Sequence, residues 1–376
     1  MRKMKYKLKD IFDLQMGKTP SRDNVDYWNT NGYKWISIGD LSTTEMYISN
    51  TKEHLSEKAV QESRIKLIPR NTVVMSFKLS IGKTAITAED MYSNEAIMAF
   101  HDKHVVDMLP KYIFYLFKYR DWDKGSNKAV MGKTLNKATL SEIEIELCSL
   151  EKQKEIVKVL DKIMGSLAGR KSELLLLDDL IKARFVELFG NPVLNEKGWE
   201  SNLLAQLTLK IGSGATPKGG REAYQEEGIA LIRSMNVYNG KFEYKDLAHI
   251  SDEQAAKLDN VIIKESDVLL NITGASVARS CVVPNQILPA RVNQHVCIIR
   301  CKECIEPIFL NRLLIDDNYQ KLLWEIAGSG ATREAITKQQ VERLKIILPP
   351  IELQNQFADF VRQVDKSKLM FQKLHQ

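Results

Sequence analysis

The sequence predicts an α+β protein in which two similar mixed α/β globules stand in tandem and each globule is followed by a long helix. Three observations predict this fold class: a tandem repeat of short motifs, the same order of strand and helix patterns in each repeat, and a heptad spacing of apolar residues after each globule. The chain has 376 residues, which is long enough for two or more domains.

The composition is that of an ordinary globular protein. Apolar residues make up 44% and charged residues 27% of the chain, so disorder is not expected. No run approaches the roughly 20 apolar residues that span a bilayer. The basic start leads into Asp10 and Asp13, which argues against a signal peptide. Five cysteines are an odd number and too few for a disulfide scaffold. These features favour a cytoplasmic protein.

Six short motifs recur in the same order at a nearly constant spacing. The paired segments are 17–20 with 214–217, 54–57 with 249–252, 80–84 with 276–280, 94–97 with 293–296, 132–134 with 330–332, and 150–153 with 351–354. Any single match is weak, but six in one order are hard to attribute to chance. Their divergence indicates two copies of one fold with different surface chemistry.

Each copy contains the same series of local patterns. An amphipathic start runs into a Gly-x-Thr-Pro loop, where Pro20 or Pro217 prevents continuation of a helix. Strand-like runs follow, then a helical stretch, a Gly/Ser loop and a final strand. The strand-like runs are 34–38, 72–77, 83–87, 230–233, 267–272 and 295–300, and the helical stretches are 112–119 and 308–324. We therefore expect a first domain at 1–149, a helix at 150–190, a second domain at 191–349 and a helix at 350–376.

Apolar residues after each globule recur at steps of three, four and seven, the heptad spacing of helices that pack along each other. The predicted seam comprises Ile156, Leu160, Ile163, Leu167, Leu174, Leu177 and Ile181 in the first helix and Leu353, Phe357, Phe360, Val364 and Phe371 in the second. In the alternative interpretation, each stripe packs on its own globule. Gly190, with Pro192 just beyond it, ends the first helix.

We find no complete catalytic motif in the sequence. Three Gly-Lys-Thr triplets, at Gly17, Gly82 and Gly132, lack the glycine that a phosphate-binding loop carries five positions earlier. Glu243 and Lys245 have the spacing of a nuclease Glu-x-Lys pair, but no convincing upstream aspartate accompanies them. A stand-alone nuclease is therefore the enzyme alternative, and it depends on this pair alone.

One cluster has residue types that bind zinc. His295, Cys297, Cys301 and Cys304 could supply four ligands. Their spacing is irregular, and the first copy has nothing comparable. We therefore expect a Cys/His-rich strand end without a metal.

Several motifs resemble those of one protein family. They are the Gly-x-Thr-Pro loops at Gly17 and Gly214, the segments at Asn94 and Asn293, the run 348–354 (Leu-Pro-Pro-Ile-Glu-Leu-Gln) that enters the second helix, and the run 185–192 that closes the first. With the paired heptad helices, they make essentially the whole chain resemble the specificity subunit of type I restriction–modification systems. The first copy departs from the family pattern, because Cys148 and Ser149 replace the two prolines.

The resemblance implies a non-catalytic DNA-recognition subunit. In this family, each globule is a target recognition domain that reads one half of a split, asymmetric target. Two antiparallel helices form a coiled-coil spacer between domains related by a pseudo-two-fold axis. The spacer sets the gap between half-sites and docks two adenine methyltransferase (modification) subunits, and restriction/translocase subunits join for cleavage. No cofactor is expected in this chain, since S-adenosylmethionine, ATP and Mg would bind to the partner subunits.

Candidate DNA contacts lie in the polar loops at corresponding positions of the two repeats. Arg, Asn and Gln side chains discriminate bases in the major groove, whereas Lys, Ser and Thr mostly contact phosphates. The predicted contacts are Lys18, Thr19, Ser21, Arg22, Lys34, Ser76, Lys78, Ser80 and Lys83 in the first copy and Thr216, Lys218, Arg221, Arg233, Asn236, Asn271, Thr273, Ser276 and Arg279 in the second. Each is alternatively a solvated surface residue, and no catalytic residue is expected.

The main alternative function is a protein-interaction scaffold with two repeated domains that never binds DNA. The net charge of +6 is modest for a nucleic-acid-binding protein, so any DNA surface depends on charges that folding gathers on one face. Binding that weakens steeply with added salt would favour the DNA interpretation, because phosphate contacts release counterions.

Overall fold

The structure is a computed structural model that describes residues 4–78, 80–122, 135–216, 220–328 and 334–373. The chain divides into two compact units, Met1–Ala168 and Gly169–Gln376. Each unit has its own hydrophobic clusters. Within the described ranges, we find no helix that is both long enough and apolar enough to cross a membrane.

The first unit contains ten strands and five short helices in its described part, followed by the start of a long helix. The strands are β1 (Met4–Lys7), β2 (Phe12–Met16), β3 (Trp28–Ile36), β4 (Tyr47–Ile48), β5 (Glu53–Leu55), β6 (Val73–Ser76), β7 (Thr84–Thr87), β8 (Tyr92–Ser93), β9 (Ile97–Asp102) and β10 (Glu144–Leu147). The helices are α1 (Leu8–Ile11), α2 (Ile38–Thr43), α3 (Glu57–Ser63), α4 (Pro110–Lys118), α5 (Lys137–Ser141) and the long α6 (Leu150–Phe189).

A five-stranded sheet of order β2-β9-β6-β7-β4 is the centre of the first unit. Its strands pair antiparallel, except that β4 is parallel to β7. Both faces of β6 are buried: Val73 and Met75 join one hydrophobic cluster, and Val74 joins another. This double burial explains why the run 72–77 is continuously apolar rather than alternating. A three-stranded sheet, β5-β3-β8, and a β1-β10 pair complete the unit.

The second unit contains eleven strands and five short helices in its described part, with a second long helix after them. The strands are β11 (Ser201–Leu203), β12 (Thr208–Ser213), β13 (Ile229–Ile232), β14 (Val237–Tyr238), β15 (Lys241–Phe242), β16 (Ala248–Ile250), β17 (Val268–Asn271), β18 (Ser280–Val282), β19 (Ala290–Val292), β20 (Val296–Cys301) and β21 (Lys345–Ile347). The helices are α7 (Leu204–Leu207), α8 (Asp252–Ala256), α9 (Pro307–Leu314), α10 (Asp317–Gly328), α11 (Lys338–Glu342) and the long α12 (Ile351–Lys373).

The sheets of the second unit repeat the topology of the first. The order β12-β20-β17-β18 corresponds to β2-β9-β6-β7, and β16-β13-β19 corresponds to β5-β3-β8. The β11-β21 pair corresponds to β1-β10, and the hairpin β14-β15 is an addition. As in β6, alternate residues of β17 enter two clusters, with Val268 and Leu270 in one and Leu269 in the other. The predicted fold class, two similar α/β domains in tandem with two long helices, is confirmed.

The long helices join their units through antiparallel packing and buried apolar side chains. In the second unit, the ring of Phe185 on α6 lies 5.6 Å from that of Phe357 on α12. The ammonium of Lys368 on α12 pairs with the carboxylate of Asp178 on α6. Later residues of α6 contact earlier residues of α12, so the two helices are antiparallel within this unit. Ile181, Phe357 and Val364 are buried in the same cluster, as the heptad pattern predicts.

The prediction of one helix–helix seam is wrong for the first part of α6. Ile156 and Leu160 pack against the cluster of the first globule, which is the alternative that the sequence left open. Ile163 and Leu167 are about half exposed, at 49% and 51%. Further along α6, Leu177 packs against the cluster of the second unit and Leu174 is half-buried, while Leu353 and Phe360 on α12 also pack against that cluster. The side chain of Phe371 lies outside the described part.

A buried glutamine fixes the start of each long helix to its globule. The side chain of Gln153 donates to the carbonyls of Asp107 and Cys148 and accepts from the backbone N–H of Leu109. Gln354 is likewise fully buried and makes three contacts of the same kind. The repeated Gln of segments 150–153 and 351–354 is thus a structural clamp in both copies.

Candidate nucleic-acid interface

In the first unit, the Gly-Lys-Thr-Pro loop lies directly on the turn at Asn94. The backbone N–H of Lys18 donates to the carbonyl of Ser93 at 2.8 Å. A Cβ on Gly17 would lie 2.2 Å from that same oxygen, so only glycine allows this approach. The side chain of Asn94 accepts from the N–H of Ala96 at 3.0 Å and closes the turn. The Thr19 hydroxyl donates to the carboxylate of Glu95.

The second unit builds the same contact from its own copies of these motifs. The N–H of Gly214 donates to the carbonyl of Asn293 at 3.1 Å, and a Cβ on Gly214 would lie 1.8 Å from the carbonyl oxygen of Val292. The side chain of Asn293 accepts from the N–H of His295 at 3.0 Å. The Thr216 hydroxyl donates to the side-chain oxygen of Gln294. In both units, therefore, the predicted loop motif and the predicted asparagine segment form one surface.

Basic side chains surround this surface in the first unit. The hydrogen bond from Thr19 holds the pKa of Glu95 below its ordinary value, against the opposing effect of burial, and the charges of Lys78 and Arg22 lower it further. Loop 17–22, the turn at 94–95 and Lys78 at the end of β6 are therefore close neighbours. A carboxylate with cations beside it stays ionised at neutral pH and acts only as a hydrogen-bond acceptor.

Arg22 is stacked on an aromatic pair. Its guanidinium carbon lies 3.8 Å from the ring centroid of Trp28 and 5.0 Å from that of Trp35, and its side chain also pairs with Glu53. The hydrogen bond to Glu53 raises the pKa of Arg22, so the charge is permanent. The two indole N–H groups donate to the carbonyls of Ser21 and Lys18. These tryptophans therefore hold the backbone of the loop in place.

The remaining basic candidates of the first unit are held by neighbouring groups. Lys18 donates to the carbonyl of Ser63, Lys34 pairs with Glu89, and Lys83 donates to the hydroxyl of Ser42 at 2.6 Å. Their charges lie at the surface or only partly below it. Ser80 is half-buried in the loop between β6 and β7.

In the second unit, two arginines lie over tyrosine rings. The guanidinium carbon of Arg233 is 5.2 Å from the ring centroid of Tyr224, and that of Arg279 is 4.5 Å from the ring centroid of Tyr238. Both arginines are half-buried, as is Ser276. The Thr273 hydroxyl lies 2.6 Å from Nδ1 of His295. Lys218 and the side chain of Arg221 lie outside the described residues.

Three predicted DNA contacts are corrected by the structure. Ser76, Asn236 and Asn271 are each fully buried, at 0% exposure. Ser76 and Asn236 bond to the backbone of their own loops, and Asn271 donates to the carbonyl of Ser234 at 2.8 Å. These side chains hold loops in place and do not face a duplex. Their polarity comes from satisfying buried backbone groups, which a sequence pattern does not distinguish from surface polarity.

Two residues of this surface are absent from the predicted set. Glu95 and Gln294 are exposed and each accepts a hydrogen bond from the loop threonine. The signal that could have found them is their place in the repeat, since each directly follows the asparagine that the two copies share.

The structure gives little support to a zinc site at 295–304 or to a nuclease site at Glu243 and Lys245. Burial raises the pKa of the Cys297 and Cys301 thiols to about 12, so neither is a ready thiolate ligand. In the described ranges, no group of three or more His, Cys, Asp or Glu side chains is placed to hold a metal ion. The carboxylate of Glu243 accepts from the backbone N–H of Lys245 and pairs with Lys241. The carboxylate of the nuclease-like pair is thus occupied in its own loop.

Comparison with known proteins agrees with this architecture. The family model described as the type I restriction modification DNA specificity domain matches residues 2–175 and 196–376. The chain is 26% identical over 383 residues to the type I restriction enzyme MjaIX specificity subunit of Methanocaldococcus jannaschii, covering 95% of this chain and 85% of that one.

Two solved structures share the fold. The S subunit of a type I restriction-modification system from M. genitalium has a TM-score of 0.57 at 14% identity and covers 99% of this chain and 92% of its own. A chain from a structural study of complex assembly in the type I R-M system has a TM-score of 0.56 at 17% identity, with coverage of 99% and 95%. Because the family model spans almost all of both repeats, the chain belongs to the type I restriction–modification DNA specificity family.

Proposed function

We propose that this chain is the non-catalytic DNA-recognition subunit of a type I restriction–modification enzyme, and that each globule reads one half of an asymmetric bipartite target. The observation that carries the proposal is the loop-and-turn surface at Gly17 and Asn94, which recurs at Gly214 and Asn293 with different exposed side chains. Two domains that recognise different half-sites require the same backbone arrangement with different exposed side chains.

The basic residues around each surface suit contacts with the phosphate backbone. In the first unit, Lys18 and Arg22 belong to the loop, and the charge of Lys78 lies close to Glu95. In the second unit, Arg233 directly follows Ile232, whose carbonyl accepts from the backbone N–H of Asn293. Hydrogen bonds to neighbouring carbonyl and hydroxyl groups hold several of these cations near the surface, so less side-chain freedom is lost on binding.

The long helices are the proposed docking elements for two modification subunits. Ile163 and Leu167 on α6 are about half exposed, and Leu175 and Leu176 further along the helix are 58% and 62% exposed. Such side chains favour a protein partner over water. In the complete enzyme, restriction/translocase subunits would join this assembly. S-adenosylmethionine would be bound by the modification subunits, and ATP and Mg by the restriction subunits.

The test is a binding assay with the full chain and its modification subunits. Duplexes that carry the system's methylated motif are compared with duplexes of scrambled sequence over a series of salt concentrations. We expect selective binding to the split motif and a steep loss of affinity with salt, since phosphate contacts release counterions. Equal, salt-insensitive binding to all duplexes would contradict the proposal and favour the protein-interaction scaffold.

A further inference from the structure

Around this surface, the two repeats share a glycine, an asparagine and a threonine, which together we call the frame. The frame positions one residue that differs between the repeats. Glycine brings the loop onto the turn, asparagine closes the turn, and threonine donates to the side chain of the residue after asparagine. That residue is Glu95 in the first unit and Gln294 in the second. Both are exposed at the entry of the strand that follows, β9 or β20.

The two held side chains have different hydrogen-bonding capacities. A carboxylate only accepts, and in the major groove it suits the amino group of cytosine. A primary amide both donates and accepts, and it suits the paired N6 and N7 positions of adenine. The Gln294 side-chain nitrogen also lies 3.1 Å from Nε2 of His295. An amide oxygen has two lone pairs and an amide nitrogen two hydrogens, so one of each remains for a base edge.

The electrostatic surroundings match this difference. The carboxylate of Glu95 would be repelled by DNA phosphates, but the positive charges of Lys78 and Arg22 lie close to it. Gln294 is neutral, and its described hydrogen-bond partners are Thr216 and His295. Each side chain is therefore placed before DNA binds, which lowers the entropy that ordering it costs.

We infer that Glu95 and Gln294 are equivalent specificity-determining residues, with Glu95 reading a cytosine in one half-site and Gln294 an adenine in the other. Thr19 and Thr216 are their positioning residues. This inference rests on the proposed function, because it assigns base-reading roles within that surface.

The experiment uses the full chain with its modification subunits and selects bound duplexes from a pool in which both half-sites are randomised. Glu95→Gln is expected to change the preference at one base pair of one half-site from C·G to A·T, by about 10- to 100-fold. Gln294→Glu is expected to make the reverse change at one base pair of the other half-site. Asp23→Asn and Gln286→Glu are matched exposed controls and are expected to keep the wild-type motif.

Thr19→Val and Thr216→Val separate positioning from general stability. Each is expected to weaken discrimination only at the base pair that its partner reads, whereas a purely structural role would weaken binding to every sequence alike. The inference is overturned if Glu95→Gln and Gln294→Glu select the wild-type motif unchanged, or if the threonine variants lose affinity uniformly. A wild-type complex that selects no bipartite motif at all contradicts the proposed function itself.

Discussion

Gln354 shows how one buried side chain joins a helix to a globule. Its amide donates to the carbonyls of Pro349 and Cys304, at 2.7 and 3.3 Å, and accepts from the N–H of Glu306 at 2.9 Å. The same residue type makes the same kind of clamp at Gln153 in the first unit. Conservation of the clamp between the copies follows from the cost of leaving three buried backbone groups without partners.

Gln354→Leu should lower the free energy of unfolding by about 3 kcal/mol, because leucine fills the space but satisfies none of those three groups. Gln356→Leu, two residues further along α12 at an exposed position, is the matched control and should change stability little. Urea unfolding followed by circular dichroism measures both. Equal midpoints for the two variants would show that the clamp contributes nothing to stability.

The buried carboxyl group of Glu306 should make the stability of the protein depend on pH. Burial raises the pKa of its carboxyl group above the ordinary value, against the opposing hydrogen bond from the Phe309 N–H and the charge of Arg362. A carboxyl group whose pKa is higher in the folded state contributes stability below its unfolded pKa, near about 4.3, and this contribution is lost as pH rises through the folded value. Relative to Glu306→Gln, which does not ionise, the wild-type protein should therefore lose stability as pH rises from the unfolded pKa through the higher folded value.

The measurement is the difference in unfolding free energy between wild type and Glu306→Gln at several pH values in that window. A difference that stays constant, or that grows in favour of the wild type as pH rises, would be the contrary result.

The role of a single residue can be predicted from the sequence where its residue type has one structural role in that motif. The prediction fails where the same residue type serves either a buried or an exposed role. Gly17, Gly214, Asn94 and Asn293 were identified as repeat motifs, and all four build the loop-and-turn surface. Asn271 was selected for its polarity, but a buried asparagine satisfies backbone groups just as an exposed one contacts bases. Only coordinates separate these two roles.

At the scale of an element, the long helix α6 contains two glycines near its middle. Gly165 and Gly169 lie between Met164, which packs on the cluster of the first unit, and Leu177, which packs on that of the second. An added Cβ at either glycine meets no atom within 4 Å. Alanine would therefore fit at either position without a steric clash.

Gly165→Ala and Gly169→Ala should each raise the free energy of unfolding by roughly 0.5–1 kcal/mol, because alanine loses less backbone entropy than glycine in a helix. Gly214→Ala provides the opposite case, since its Cβ would lie 1.8 Å from the carbonyl oxygen of Val292 and must destabilise the second unit. Thermal or urea unfolding of the three variants tests the signs. Destabilisation by the two helix substitutions would show that these glycines serve a geometry that alanine cannot adopt.

Elements are predictable from sequence when they are long or apolar on both faces. The heptad pattern identified the long helices at 150–190 and 350–376, and the structure has them at Leu150–Phe189 and Ile351–Lys373. The pattern did not reveal that Ile156 and Leu160 pack on a globule, because a heptad stripe is satisfied by any apolar surface. Two-residue strands such as Tyr92–Ser93 carry too little periodicity to be seen.

At the scale of the whole molecule, the repeated topology predicts that the two globules read independently. Replacing residues 1–149 with the corresponding domain of a relative that has a different target should change one half of the recognised sequence and leave the other half intact. Replacing residues 191–349 should change only the other half. Methylation mapping of the hybrid complexes measures both, and a hybrid in which both halves change would contradict independent reading.

The core of the second unit is closed by segments from opposite ends of its sequence. Ile181, Phe185 and Phe189 come from α6, before the globule, whereas Phe357 and Val361 come from α12, after it. During synthesis, the first globule can complete its cluster once α6 has left the ribosome as far as Met164. The second also needs Phe357 and Val361 of α12, so its cluster is completed only after about 160 further residues are translated, roughly 8–32 s at about 5–20 residues per second.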